Sequence, residues 1–154
     1  MAGVILSFVL AIVLRVMPLP PAWFMVNPDW VALLLIYWTL VAPRWVNLIL
    51  AWFLGLAVDG LTGRLLGQHA LAYVSMTYLN IRFRHTILSL PLSLQCLWVL
   101  FLLLISQLLI LWTQRVELAE SMRFTYWLPA FTGTLFWPLV YWGLRLVGRF
   151  HPQA

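Results

Sequence analysis

The chain contains no lysine, a single cysteine and only four acidic side chains among its 154 residues. Without lysine no Walker-type nucleotide motif can form, and no glycine-rich phosphate loop is present, so the chain carries no ATPase of its own. Cys96 has no second thiol to pair with, which excludes a disulfide framework. Charged residues make up 8% of the chain, against about 25% in soluble domains. What is present instead is 64% hydrophobic residues and a mean hydropathy of +0.98. Such a surface cannot be solvated by thirteen charges, which excludes soluble enzymes, disordered regulators and secreted scaffolds and places the chain in a lipid bilayer. All nine basic residues are arginines, scattered singly or in pairs between apolar runs. They read as membrane-edge anchors and not as a nucleic-acid-binding stripe.

Polar breaks cut the sequence into six apolar segments at 3–17, 29–42, 44–58, 68–81, 88–113 and 126–147, within one integral membrane domain spanning 1–154. The expected fold is an all-α polytopic helix bundle of about six membrane segments. The first segment lacks a small-residue cleavage site and is expected to be a retained helix. A span needs ~20 residues at 1.5 Å each. The second and third segments, with about 14 residues and so ~21 Å of helix, either sit in a thinned bilayer or form a re-entrant hairpin shielded by neighbours. Asn27 is expected to cap the second helix, with Pro28 at its first position and Asp29 complementing the dipole. Pro43 is expected to open the third segment after a very tight turn.

Alternating sides put Arg44, Arg82, Arg84, Arg145 and Arg149 in the cytoplasm if the N-terminus is inside, and Arg15, Arg64, Arg115 and Arg123 outside. All four acids, Asp29, Asp59, Glu117 and Glu120, then fall outside. Both termini are therefore expected to be cytoplasmic. The 114–124 loop, with Val116, Ala119 and Met122 between charges, suits a short external interfacial helix.

Asn47, Ala51, Gly55 and Asp59 recur every four residues and so share one helix face, whose small residues admit a close helix neighbour. Asp59 at its end needs a partner, with Arg64, His69 and the turn Gly60–Gly63 as local candidates. It is either an organiser of an intersubunit or ligand site or a helix-end residue bonded to the next turn. Gly67, Ala70 and Thr77 give the fourth segment a small-residue side as well, so the third and fourth segments are expected to pack closely. His69, His85 and His151 are too dispersed for a zinc site, and no cofactor is implied. Asp29 and Asp59 lie near segment ends and suit caps better than a catalytic dyad. Most of the ten tryptophans fit membrane-interface enrichment. Pro138 is expected to kink the last segment.

Two stretches carry a family resemblance: Asn27-Pro28-Asp29-Trp30 leading into Leu33–Trp38, and Gly55 through Leu71 with Asp59, Gly63, Gly67, Gln68 and His69 at fixed offsets. Together they resemble the rod shape-determining MreD family. The resemblance implies a non-catalytic scaffold of the bacterial inner membrane, part of the cell-elongation and peptidoglycan-synthesis machinery. Its implied partners are MreC first, then MreB and RodA with its partner transpeptidase. The candidate partner-binding or structural residues are Asp29, Asn47, Ala51, Gly55, Asp59, Gly63, Gly67 and Gln68, with Gly55 and Ala51 the first to test against MreC. The family is also distantly similar to the membrane substrate-binding components of energy-coupling-factor vitamin transporters, which supplies the alternative of a small-molecule capture protein. A scaffold is expected to offer a lipid-facing groove near the external ends of the third and fourth segments; a transporter component is expected to offer a closed polar pocket there.

Overall fold

The computed structural model describes residues 2–24, 26–114 and 124–149. These form eight helices: α1 Ala2–Val16, α2 Pro21–Phe24, α3 Trp30–Val41, α4 Leu48–Thr62, α5 Gln68–Arg82, α6 Arg84–Ser89, α7 Leu92–Gln114 and α8 Phe124–Arg149. There is no strand among the described residues. The six expected segments correspond to α1, α3, α4, α5, α7 and α8, with the short α2 and α6 added at the connections. By length and composition one helix, Leu92–Thr113 within α7, is apolar enough to cross a membrane, while α1, α3 and α4 are shorter apolar helices. The 114–124 loop beyond Gln114, expected as an interfacial helix, and His151 lie outside the described residues.

The core is organised around α3. Its sequence is apolar on every side, and each residue from Val31 to Leu40 is buried. A helix without a polar face has to be covered all round, and α1, α5 and α8 do this, with α6 and α7 contributing. The second segment is thus shielded by its neighbours along its length. Trp38 Nε1 donates to Ser7 Oγ (3.1 Å), tying α3 to α1.

Helix starts differ from the expected ones in two places. Asp29, not Asn27, caps α3: its Oδ1 accepts the Ala32 N–H at 3.1 Å. Asn27 instead accepts the Trp30 indole N–H at 2.9 Å. The carboxylate takes the cap because it sits three residues before a free helical donor and brings a negative charge to the positive dipole end. In the third segment Pro43 does not open the helix. The chain turns through residues 42–46, and Asn47 caps α4 by accepting from the N–H groups of Ile49 and Leu50 (both 3.1 Å). Asn47 therefore lies at the start of α4, exposed, rather than inside its packing face.

The face itself is formed by Ala51, Gly55 and Asp59, all buried. A Cβ on Gly55 would overlap the Ala70 backbone and stand 2.7 Å from the His69 carbonyl carbon, so α4 and α5 meet backbone to backbone there. Gly55 thus faces α5, and Ala51, fully buried, does not face the outside.

The six longer helices alternate in direction. Arg15 at the end of α1, Asp29 before α3, Thr62 and Arg64 after α4, His69 in α5, Gln107 late in α7 and Tyr126 early in α8 all gather at one end of the bundle. At the other end, Arg84 Nε donates to the Leu40 carbonyl (2.6 Å) and Asn80 Nδ2 to the Ile36 carbonyl (2.9 Å) and to Thr39 Oγ1 (2.6 Å). Asn80 Oδ1 in turn accepts the Trp98 indole N–H at 3.0 Å. Arg84 thereby satisfies a carbonyl that the last turn of α3 leaves open, while Asn80 links α3 to α5 and α7. α8 is helical through both Pro129 and Pro138.

Candidate functional site

The polar cluster at the Arg15 end begins with a turn that only glycine makes easily. Gly63 closes α4 at φ 64° and Gly67 precedes α5 at φ 103°. Both lie in the left-handed region that side chains with a Cβ disfavour. The turn brings the Gly67 N–H to Asp59 Oδ2 (2.8 Å) and the His69 N–H to both Asp59 oxygens (3.1 Å each). His69 Nδ1 lies 2.7 Å from Asp59 Oδ1, and both side chains are buried. Of the local candidates for an Asp59 partner, His69 is the one the fold selects, together with the backbone after Gly63.

The tautomer of His69 follows from its two neighbours. Asp59 as a carboxylate only accepts, so Nδ1 carries the hydrogen. Arg15 Nη2, a donor with nothing to accept, lies 3.4 Å from Nε2, whose lone pair therefore faces it. In a Ser–His–Asp arrangement the nucleophile would stand at that nitrogen. Here the position faces a guanidinium, and the chain Asp59–His69–Arg15 joins α4, α5 and α1.

A second carboxylate lies close by. Tyr73 Oη donates to Asp29 (2.9 and 2.8 Å to its two oxygens), so the cap of α3 is held by the middle of α5. His69, Tyr73 and Asn80 share one face of α5. With that face α5 holds Asp59, the start of α3 and the end of α3. Tyr73 and Asn80 were not among the residues singled out from the sequence, although their spacing from His69 is a helical one. Arg15, an edge anchor by its position in the sequence, lies against His69 at the wall of this cluster.

Of the sequence candidates, Asp29, Asp59 and Gly67 meet in this cluster, with Gly63 forming its turn and Gln68 buried at the start of α5. Ala51 and Gly55 lie further along the α4–α5 seam, and Asn47 is at the opposite end of α4. No group of three metal-ligating side chains occurs among the described residues.

Beside the cluster is a partly enclosed cavity of about 310 Å³. Its polar wall holds Arg15, Asp29, Arg64, His69, Gln107 and Tyr126, and its apolar wall Leu103, Ile110, Pro129 and Ala130. An open apolar groove of about 370 Å³ lies elsewhere, at the start of α7, lined by Leu90, Leu94, Leu97, Trp98 and Phe101. At the Asp59 end the structure thus has a partly enclosed cavity of mixed polar and apolar lining.

Fold and cluster together define an all-helical, apolar protein whose buried polar side chains join helices to one another. The chain belongs to the family of the rod shape-determining protein MreD, whose family model matches residues 2–147. It is 34% identical over 145 residues to the rod shape-determining protein MreD of Haemophilus influenzae, covering 92% of this chain and 88% of that one. No solved structure gives a significant match. Membership places the chain in rod shape determination, among bacterial membrane proteins that are shape-determining structural proteins and not a known enzyme family.

Proposed function

We propose that the chain is a non-catalytic, multi-pass scaffold of the inner membrane that binds MreC within the cell-elongation machinery, and through it serves MreB-directed peptidoglycan synthesis by RodA and its partner transpeptidase. The observation that carries this reading is how the two buried carboxylates and the small-residue seam are used. Asp59 is occupied by Gly67 and His69, Asp29 by Ala32 and Tyr73, and the small-residue seam of Gly55 by Ala70. What the chain offers outward is apolar helix surface: Ile5, Val9 and Val13 on α1, Ile49 and Phe53 on α4, and Leu135, Leu139 and Trp142 on α8. In a bilayer such faces associate through close packing and a few polar contacts. The alternating helix directions support both termini lying on one side, and the arginine count favours the cytoplasm.

The test is affinity purification from gently solubilised membranes. MreC should co-elute in a stable complex. Gly60 and Gly143 have open space where a Cβ would go, so Gly60→Leu and Gly143→Leu probe outward faces of α4 and α8 without disturbing the interior. Loss of MreC with either variant, accompanied by rounded cells, identifies the docking face.

One observation favours a second reading, a membrane substrate-binding component of a small-molecule transporter: the cavity of about 310 Å³ lies at the end where such a pocket was expected. That reading requires a separate ATPase module. Recovery of such a module with a bound small molecule, and no MreC, would overturn the scaffold.

A further inference from the structure

The cavity beside His69 contains polar groups that the fold itself leaves unused. Arg15 has five N–H donors, and its hydrogen bond in the structure is the 3.4 Å one to His69 Nε2. Arg64, after the end of α4, lines the same cavity from the exposed side. Across from them Gln107 donates to the Tyr126 carbonyl (3.4 Å), but its Oε1 is buried with no partner among the described residues. A buried amide oxygen left without a donor costs stability, and that cost vanishes if the cavity holds a group that accepts from arginine and donates to Gln107.

The charge around the cavity fits an anion. With His69 neutral, its charged lining is Arg15, Arg64 and Asp29, a net charge of +1: Asp29 opposes Arg15, and the exposed Arg64 carries the excess positive charge. The volume is at the low end of the ~300–1,000 Å³ range of small-molecule pockets, which suits a compact group. The apolar wall of Leu103, Ile110, Pro129 and Ala130 runs from this polar wall along α7 and α8.

We propose that this cavity binds a phosphodiester or phosphate monoester carrying free hydroxyls: the phosphate oxygens accept from Arg15 and Arg64, and a hydroxyl donates to Gln107 Oε1. Fork-shaped guanidinium donors match phosphate oxygens, and charge-assisted bonds of this type are the stronger ones. The same chemistry occurs in the headgroup of a glycerol-based anionic lipid and in free glycerol phosphate. The proposal rests on the cavity alone and is independent of whether MreC is the partner.

The test measures thermal unfolding of the purified full chain in nanodiscs of phosphatidylglycerol and of phosphatidylcholine, and in detergent with and without glycerol 3-phosphate. A higher midpoint in phosphatidylglycerol alone supports a lipid headgroup; a higher midpoint with glycerol 3-phosphate in detergent supports the free anion. Arg64→Gln removes one exposed charge and leaves the interior intact. It should weaken binding about tenfold, the loss of one charge-assisted hydrogen bond. Gln107→Leu should favour ligands without the hydroxyl, shown by a smaller difference between phosphatidylglycerol and phosphatidic acid. Arg82→Gln, at the far end of α5, should change nothing. No anion-dependent shift, or a shift that survives unchanged in Arg64→Gln and Arg15→Gln, overturns the proposal.

Discussion

Asp59 Oδ1 and His69 Nδ1 lie 2.7 Å apart across the turn that joins α4 to α5, with both side chains buried. The contact fixes the angle at which two closely packed helices leave the same end of the bundle. Through His69 Nε2 it also reaches Arg15 and hence α1.

Asp59→Asn should therefore be tolerated better than Asp59→Leu. The amide keeps an acceptor oxygen for the Gly67 and His69 N–H groups, whereas leucine leaves these donors buried and unpaired, at a cost of roughly 1–3 kcal/mol. Thermal unfolding and membrane accumulation of both variants measure the difference. Equal and complete loss of function in both, with normal accumulation, would show that the charge itself is required and would contradict a structural role.

Gly55→Ala should destabilise the fold by about 1–3 kcal/mol, the usual range for overpacking, because its Cβ would overlap the Ala70 backbone. Gly60→Ala meets open space and should leave the unfolding midpoint unchanged or slightly raised, since alanine is the better helix former. A neutral Gly55→Ala would mean that α4 and α5 do not pack as closely as described.

Removing Asn80 should loosen the opposite end. Asn80→Leu leaves the Trp98 indole N–H without its acceptor and removes the donor that bridges the Ile36 carbonyl and Thr39 Oγ1, and the expected loss is again about 1–3 kcal/mol for a buried donor left unpaired. Arg84→Ala should add to it, because Arg84 holds the adjacent Leu40 carbonyl. Chemical denaturation of single and double variants reads both effects. Loss no greater than for Leu94→Ala, on the exposed face of α7, would remove this network from the account of stability.

Orientation can be read by labelling. Trp45 and Leu65 are exposed at opposite ends of α4. In a Cys96→Ser background, an impermeant maleimide added to whole cells with a permeable outer membrane should label Leu65→Cys, and should label Trp45→Cys only after lysis. The reverse pattern would place the termini outside, and equal labelling of both would mean that α4 does not span the membrane.

Sequence alone determined the membrane class, the six apolar segments and the family, because composition and hydrophobic run length are local properties that bilayer burial reads directly. The motif around Asp59 was legible for the same reason: a helix face and a glycine turn are encoded within a dozen residues. Which short segment lies inside was not. α3 and α4 are similarly short and apolar, yet only α3 is surrounded, and that follows from how α1, α5 and α8 pack. The bonds from Tyr73 to Asp29 and from Asn80 to Ile36 cross 44 residues each, so no local pattern contains them. Arg15 reads as an edge anchor in isolation and becomes a wall of the cavity only when the end of α1 meets the start of α5. Tertiary structure decided these points because the position of each polar group depends on which distant helix must shield it from lipid.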